Sequence, residues 1–141
     1  MSDPFGLERF VSAQDDGRTY ERALAELAAG RKTSHWMWFV LPQIAGLGSS
    51  PMAQRYAIRS LDEARAYLAH PVLGPRLIAT ARIVATGPAP DAVSLLGSID
   101  AQKLRSSMTL FARAAPEEPV FSAVLDRYFG GAADPATEAR L

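Results

Sequence analysis

The sequence predicts an all-α protein, a single compact domain built as an irregular or orthogonal helical bundle over residues 1–141. Three observations predict it. Helix-start and helix-stop residues recur from end to end, period-two alternation bounded by turn residues is nowhere convincing, and the connections are short. The chain has 141 residues with 48% hydrophobic content, enough to bury a core without disulfide or metal staples.

Element by element, Asp3 and Pro4 open a first short helix through Phe10, because proline at the first helical position loses no bond it could have made. "TYERALAELAAG" puts Tyr20, Leu24, Leu27 and Ala28 on one stripe, and Gly30 supplies the stop. "SLDEARAYLAHP" begins with Ser60 and Glu63 in capping-box spacing and halts before Pro71. Pro75 starts a wide apolar helix through Leu77, Ile78, Ala81, Val84 and Ala85. Pro90 opens a short turn through Leu96. Asp100 is expected to cap "AQKLRSSMTLFARAA", with Leu104, Met108 and Phe111 toward the core. Pro119 or the acidic pair before it opens "VFSAVLDRYF", closed by Gly130 and Gly131, and Asp134 with Pro135 begins a frayed terminal turn. "GLGSSP" and "TGPAPDA" read as loops. A strand at Trp36–Leu41 stays open, since all six of its residues are apolar and periodicity cannot exclude it.

Composition narrows the function classes. Fifteen basic and fifteen acidic residues balance, so no broad field draws the chain to nucleic acid or an anionic membrane, and any anion site must be local. The absence of cysteine excludes disulfides and thiolate chemistry and suits a cytoplasmic location. The start, "MSDPFGLERF", lacks the basic head and apolar stretch of an export signal. His35 and His70 are the only histidines and form no helical pair, so no metal site and no cofactor are expected.

"RKTSHWMWFVLPQ", from Arg31 to Gln43, concentrates aromatic surface beside positive charge. If Ser34 caps a short helix that Pro42 ends, His35, Trp38 and Phe39 share one face while Trp36 and Val40 share another. Each large aromatic buries roughly 150–250 Å², worth up to about 4–6 kcal/mol. Core anchoring therefore accounts for Trp36 and Trp38 without a ligand. It does not account for Arg31, Lys32, Thr33, Ser34 and His35, which fall at an expected helix start, where backbone donors and the dipole favour an anion. In "GSIDAQKLRSSMTLF", the residues expected to share a pocket are Asp100, Lys103 and Ser107, an arrangement that could orient a hydroxyl or water. A capping aspartate with a neighbouring salt bridge fits the same residues. No G-x-S-x-G elbow or S-x-x-K spacing supports a serine nucleophile.

The blocks "FVSAQ", "GRKTSHWMWFVLPQIAGLGSS", "AYLAHPVLGPRL" and "DAQKLRSSMTLF" resemble an uncharacterised bacterial family, the domain of unknown function 1810. The resemblance implies a small, mostly helical protein and brings no catalytic residues with it. Some members carry the label calpastatin, an inhibitor of calcium-dependent proteases. Such inhibitors are disordered and polar, whereas this composition is that of a folded core. A looser similarity, in helix order and the "YLAHPVLGPRL" block, is to helical N-glycosidases acting on ADP-ribose-linked substrates, and it implies a nucleotide-like ligand class.

The functional expectation is a pocket for an anionic, ring-bearing small molecule of nucleotide or nucleotide-sugar type, phosphate-bearing, with hydrolysis as a further step. Its candidate residues are Arg31, Lys32, Ser34, His35, Trp36, Trp38, Gln43, Asp100, Lys103 and Ser107. The alternative is a protein–protein interaction or dimerisation module using the Trp36/Trp38 surface. The first reading requires residues 31–43 and 100–107 to face one cavity.

Overall fold

A computed structural model describes residues 3–141. The elements in chain order are α1 (Glu8–Asp15), α2 (Thr19–Ala28), α3 (Met37–Val40), α4 (Pro51–Arg55), α5 (Leu61–Ala69), α6 (Leu73–Thr86), α7 (Ala92–Leu96), α8 (Ser98–Ala114), α9 (Pro119–Phe129) and α10 (Pro135–Glu138), with one 3-10 turn at Asp16–Arg18. The long helix α8 is the axis: α5, α7, α9 and α10 all pack on it, and α6 closes the bundle against α2, α5 and α9. Among the described residues no helix is long and apolar enough to cross a membrane.

Local chemistry sets most of these boundaries. Ser60, Asp91 and Asp134 each accept from a backbone N–H in the first turn of the helix that follows, and Glu118 does so at the Pro119 start of α9. His70 ends α5 and its Nδ1 accepts from the Val72 and Leu73 amides at 3.1 and 3.2 Å, so it caps the entry to α6. Gly130, at φ +62°, closes α9.

Several expectations are corrected. Asp3 does not start a helix through Phe10. Its carboxylate accepts from Leu7 and Glu8, and the helix runs on to Asp15. The α2 stripe is rotated, with Ala23 and Leu27 deepest and Ala28 exposed. Glu63 does not complete the capping box on Ser60: it accepts from the Arg59 amide and pairs with Arg9 at 2.9 Å, tying α1 to α5. Helix α6 begins at Leu73, before Pro75, because His70 supplies the cap. "GLGSSP" is only partly loop, since Ser50 and Pro51 nucleate α4. The run at Trp36–Leu41 contains helix rather than strand. Extended pairing occurs instead as one parallel bridge, Ile44 with Ile58, where Ala45 donates to Ile58 at 2.7 Å and Ile58 to Gln43 at 2.8 Å.

The core is threaded by six rings in sequence, Phe39, Tyr56, Phe10, Tyr67, Phe111 and Phe121, with successive centroids 5.1–5.8 Å apart. This ladder crosses α3, α1, α5, α8 and α9, which explains how short helices at such different angles share one interior. Its one polar insertion is satisfied: buried Gln14 donates to the Phe39 carbonyl at 2.8 Å and to the Tyr67 hydroxyl at 3.2 Å, while Arg76 donates to its oxygen. Burial pushes the Tyr67 phenol up, against the hydrogen bond from Gln14.

Candidate functional site

The two polar segments meet. Lys32, in the loop after α2, lies with Nζ 2.9 Å from Asp100 Oδ2, and Lys103, one turn further along α8, lies 3.7 Å from Asp100 Oδ1. Each ammonium also stands over an indole, Lys32 5.0 Å from the Trp36 ring and Lys103 5.4 Å from the Trp38 ring. The order across the site is therefore Trp36, Lys32, Asp100, Lys103, Trp38. The Lys32 amide donates to the Leu95 carbonyl at 2.7 Å, which fixes this loop against the end of α7.

The donors of the 33–36 loop go elsewhere than expected. Glu26, on α2, accepts from the Thr33 amide at 2.8 Å, the Ser34 amide at 3.0 Å, the Ser34 hydroxyl, and the Trp36 indole N–H at 2.9 Å. Burial alone would raise this carboxyl, but the bonds from Ser34, Thr33 and Trp36 overcome it and hold the pKa at about 2. Ser34 thus caps no helix. Helix α3 starts after Trp36 without a side-chain cap, and the amides expected to bind an anion are already bound to an internal one. Trp36 is fully buried and Trp38 half-buried, so the surface of the interaction alternative lacks one of its two indoles. Arg31 and His35 lie exposed, and both fall outside any helix.

Asp100 is not the cap of α8 either. The helix begins at Ser98 after Gly97, at φ +84°, which places Asp100 within the first turn and frees its carboxylate for Lys32 and Lys103. Ser107 does not share the pocket. It is fully buried in the core, and its Oγ has no hydrogen-bond partner among the described residues.

Beside Lys103 a groove of about 420 Å³ opens between α8, the 43–48 loop and the C-terminal turn. Lys103, Gln102 and Ser106 line it from α8, Gln43 and Leu47 from the loop, and Asp134 from the turn before α10. Ile99, with 73% of its surface exposed, forms an apolar lip. Behind Gln43 and Gly48 lies a smaller cavity of about 140 Å³, reached by Trp38, Ala53 and Tyr56. Gln43 and Gly48 belong to both spaces. Among the described residues no group of three or more carboxylates and histidines is arranged to hold a metal.

Of the expected residues, Lys32, Asp100, Lys103, Trp36 and Trp38 come together, but only Lys103 and Gln43 line the groove; Lys32, Asp100, Trp36 and Trp38 stand behind or beside Lys103, and Arg31, Ser34, His35 and Ser107 belong to neither set. Sequence reasoning missed Glu26, Gln102, Ser106 and Asp134. Asp134 carried a signal only for a cap, its place before Pro135, and Ser106 only that of its three-residue spacing from Lys103 on one flank of the helix.

The crystal structure of a conserved hypothetical protein from Mycobacterium tuberculosis is similar at 51% identity with a TM-score of 0.95, covering 99% of this chain and 98% of that one. No curated protein matches. The family model of the protein of unknown function DUF1810 matches residues 4–141, and with that span matched the chain belongs to the DUF1810 family.

Proposed function

We propose that the groove beside Lys103 binds an anionic, ring-bearing small molecule of the nucleotide or nucleotide-sugar class. The observation that carries this reading is the uneven charge of the Lys32–Asp100–Lys103 chain. Asp100 is paired at 2.9 Å with Lys32, whose side chain is only 9% exposed, and so has little left for Lys103 at 3.7 Å and 24% exposure. Two ammonium groups share this carboxylate, which leaves Lys103 Nζ weakly paired at the groove wall, beside the Trp38 ring. An anionic group of the ligand gives that ammonium a full partner.

The groove volume of about 420 Å³ suits a small metabolite. Leu47 and Ile99 offer hydrocarbon to a ring, and the Gln43 amide offers both a donor and an acceptor to its edge. The activity supported is binding: Ser107, expected to share the pocket with Asp100 and Lys103, is buried in the core, and its hydroxyl has no hydrogen-bond partner among the described residues.

Thermal-shift and calorimetric titration of the full chain with phosphate-bearing metabolites, adenosine 5′-monophosphate first, tests the proposal. A ligand that raises Tm in the parent protein should lose the effect in Lys103→Ala and keep it in His35→Ala, because His35 is no part of the groove. If no phosphate-bearing ring compound at millimolar concentration shifts the parent protein, the proposal fails.

A further inference from the structure

Asp134 is a carboxylate with only 4% of its surface exposed, set in the wall of the groove. Its two oxygens are used unequally. Oδ2 accepts from the Thr137 amide at 3.1 Å and from the Thr137 hydroxyl at 2.5 Å. Among the described residues Oδ1 has the Gln102 amide nitrogen alone, at 3.4 Å, beyond the usual hydrogen-bond range. A buried carboxylate oxygen left so weakly paired is costly unless something else donates to it.

The neighbouring hydroxyls cannot do so. The single hydroxyl hydrogen of Thr137 is committed to Asp134, so the 2.8 Å contact between Ser106 and Thr137 must run from Ser106 to Thr137. Ser106 thereby spends its own hydrogen and keeps only acceptor capacity. The wall thus combines a strong unfilled acceptor, Asp134 Oδ1, with an amide donor, Gln102 Nε2, and a hydroxyl acceptor, Ser106 Oγ. Ile99 stands three and four residues before Gln102 and Lys103, and Ser106 three and four residues after Lys103 and Gln102, so the four form one stripe of α8 facing this groove.

From this arrangement we infer that Asp134 and Gln102 form a hydroxyl-recognition pair, and that the ligand of the groove carries a sugar-like diol beside the anion held by Lys103. The inference rests on the binding reading above and names the moiety that it leaves open. A hydroxyl can donate to Asp134 Oδ1 while accepting from Gln102 Nε2, which serves both groups at once. A bare inorganic anion would meet a like charge at Asp134. An apolar ligand would seal Oδ1 away from water without a donor.

The test is calorimetric titration of the full chain with adenosine 5′-monophosphate and with its 2′,3′-dideoxy analogue. The parent protein should bind the diol nucleotide about tenfold or more tightly than the dideoxy one, as expected for a lost bond to a charged acceptor. Asp134→Asn, which removes the charged acceptor, should bring the two affinities to within about twofold, mainly by weakening the diol nucleotide. Gln102→Leu removes only the donor of the pair and should cut the discrimination at least about twofold; Gln102 is exposed, so this variant carries the test if Asp134→Asn does not fold. Equal binding of both nucleotides by the parent protein, or discrimination undiminished in Gln102→Leu, overturns this inference and leaves anion binding standing. Binding of neither nucleotide overturns both.

Discussion

Lys32 Nζ and Asp100 Oδ2 lie 2.9 Å apart, and this ion pair joins the loop after α2 to the first turn of the central helix. The exposures are 9% and 19%, so both charges are largely withdrawn from water and each needs the other. Replacing Lys32 by methionine keeps the packing on Trp36 but leaves Asp100 with the more distant Lys103. The expected loss is about 2–3 kcal/mol in denaturant unfolding. The Lys32→Met/Asp100→Asn double variant should lose clearly less than the two single losses added together. Strict additivity would mean that the pair contributes nothing.

Glu26 gives a pH dependence of defined sign. Its folded pKa is about 2, against an ordinary 4.5, so the folded chain takes up this proton less readily than the unfolded chain does. Its stabilisation is complete above about pH 4.5 and is lost as pH falls toward about 2. In Glu26→Gln, unfolding free energy measured across that window should vary less steeply with pH than in the parent protein. An unchanged slope would show that another carboxylate dominates acid unfolding.

Ser107 runs against the usual expectation for a core substitution. Its buried hydroxyl has no partner, so Ser107→Ala removes a desolvated polar group and puts a stronger helix former in mid-helix. Stability should stay level or rise by about 1 kcal/mol. The equivalent change at Ser106, which breaks the bond to Thr137 and loosens α10, should instead cost about 1 kcal/mol. Thermal denaturation of the two variants side by side checks the contrast.

Among the glycines, Gly74 is the one where an added Cβ would come closest to another backbone segment. A Cβ built there would sit 2.0 Å from the Leu68 carbonyl oxygen, which cannot swing aside as a side-chain tip could. Gly74→Ala should cost about 3 kcal/mol and separate the α5–α6 corner. Gly130→Ala meets no neighbouring atom and should cost only about 1 kcal/mol, from its positive φ. Comparable Tm values for the two would refute the steric account.

Much of the fold was legible because it is written in local contacts. The Ser60 cap, the Pro119 and Pro135 starts, the Gly30 and Gly130 stops, and the core positions Leu104, Met108 and Phe111 depend on neighbours within one or two helical turns. The errors share a different cause. Ser34 and Asp100 were assigned to caps, their commonest local use, but each found a partner on another segment, Ser34 on Glu26 of the preceding helix and Asp100 on Lys32, far back along the chain. Ser107, the expected pocket residue, is separated from Ser106 by a rotation of about 100°, and only the position of α10 tells which side of α8 opens to the groove. That same short turn looked frayed in sequence, yet Thr137 and Asp134 are buried against α8.

The amino-acid order by itself therefore determined the all-helical class, many helix limits and the concentration of charge beside aromatic surface at residues 31–43, since periodicity and capping act over a few residues. Tertiary structure alone decided which polar groups are spent and which stay available. Glu26 consumed the amides expected to face an anion, while Lys103 and Asp134 Oδ1 were left weakly paired at the groove. The physical reason is that satisfying a buried polar group depends on whatever donor or acceptor packing brings within about 3 Å, and no local pattern in the chain specifies that partner.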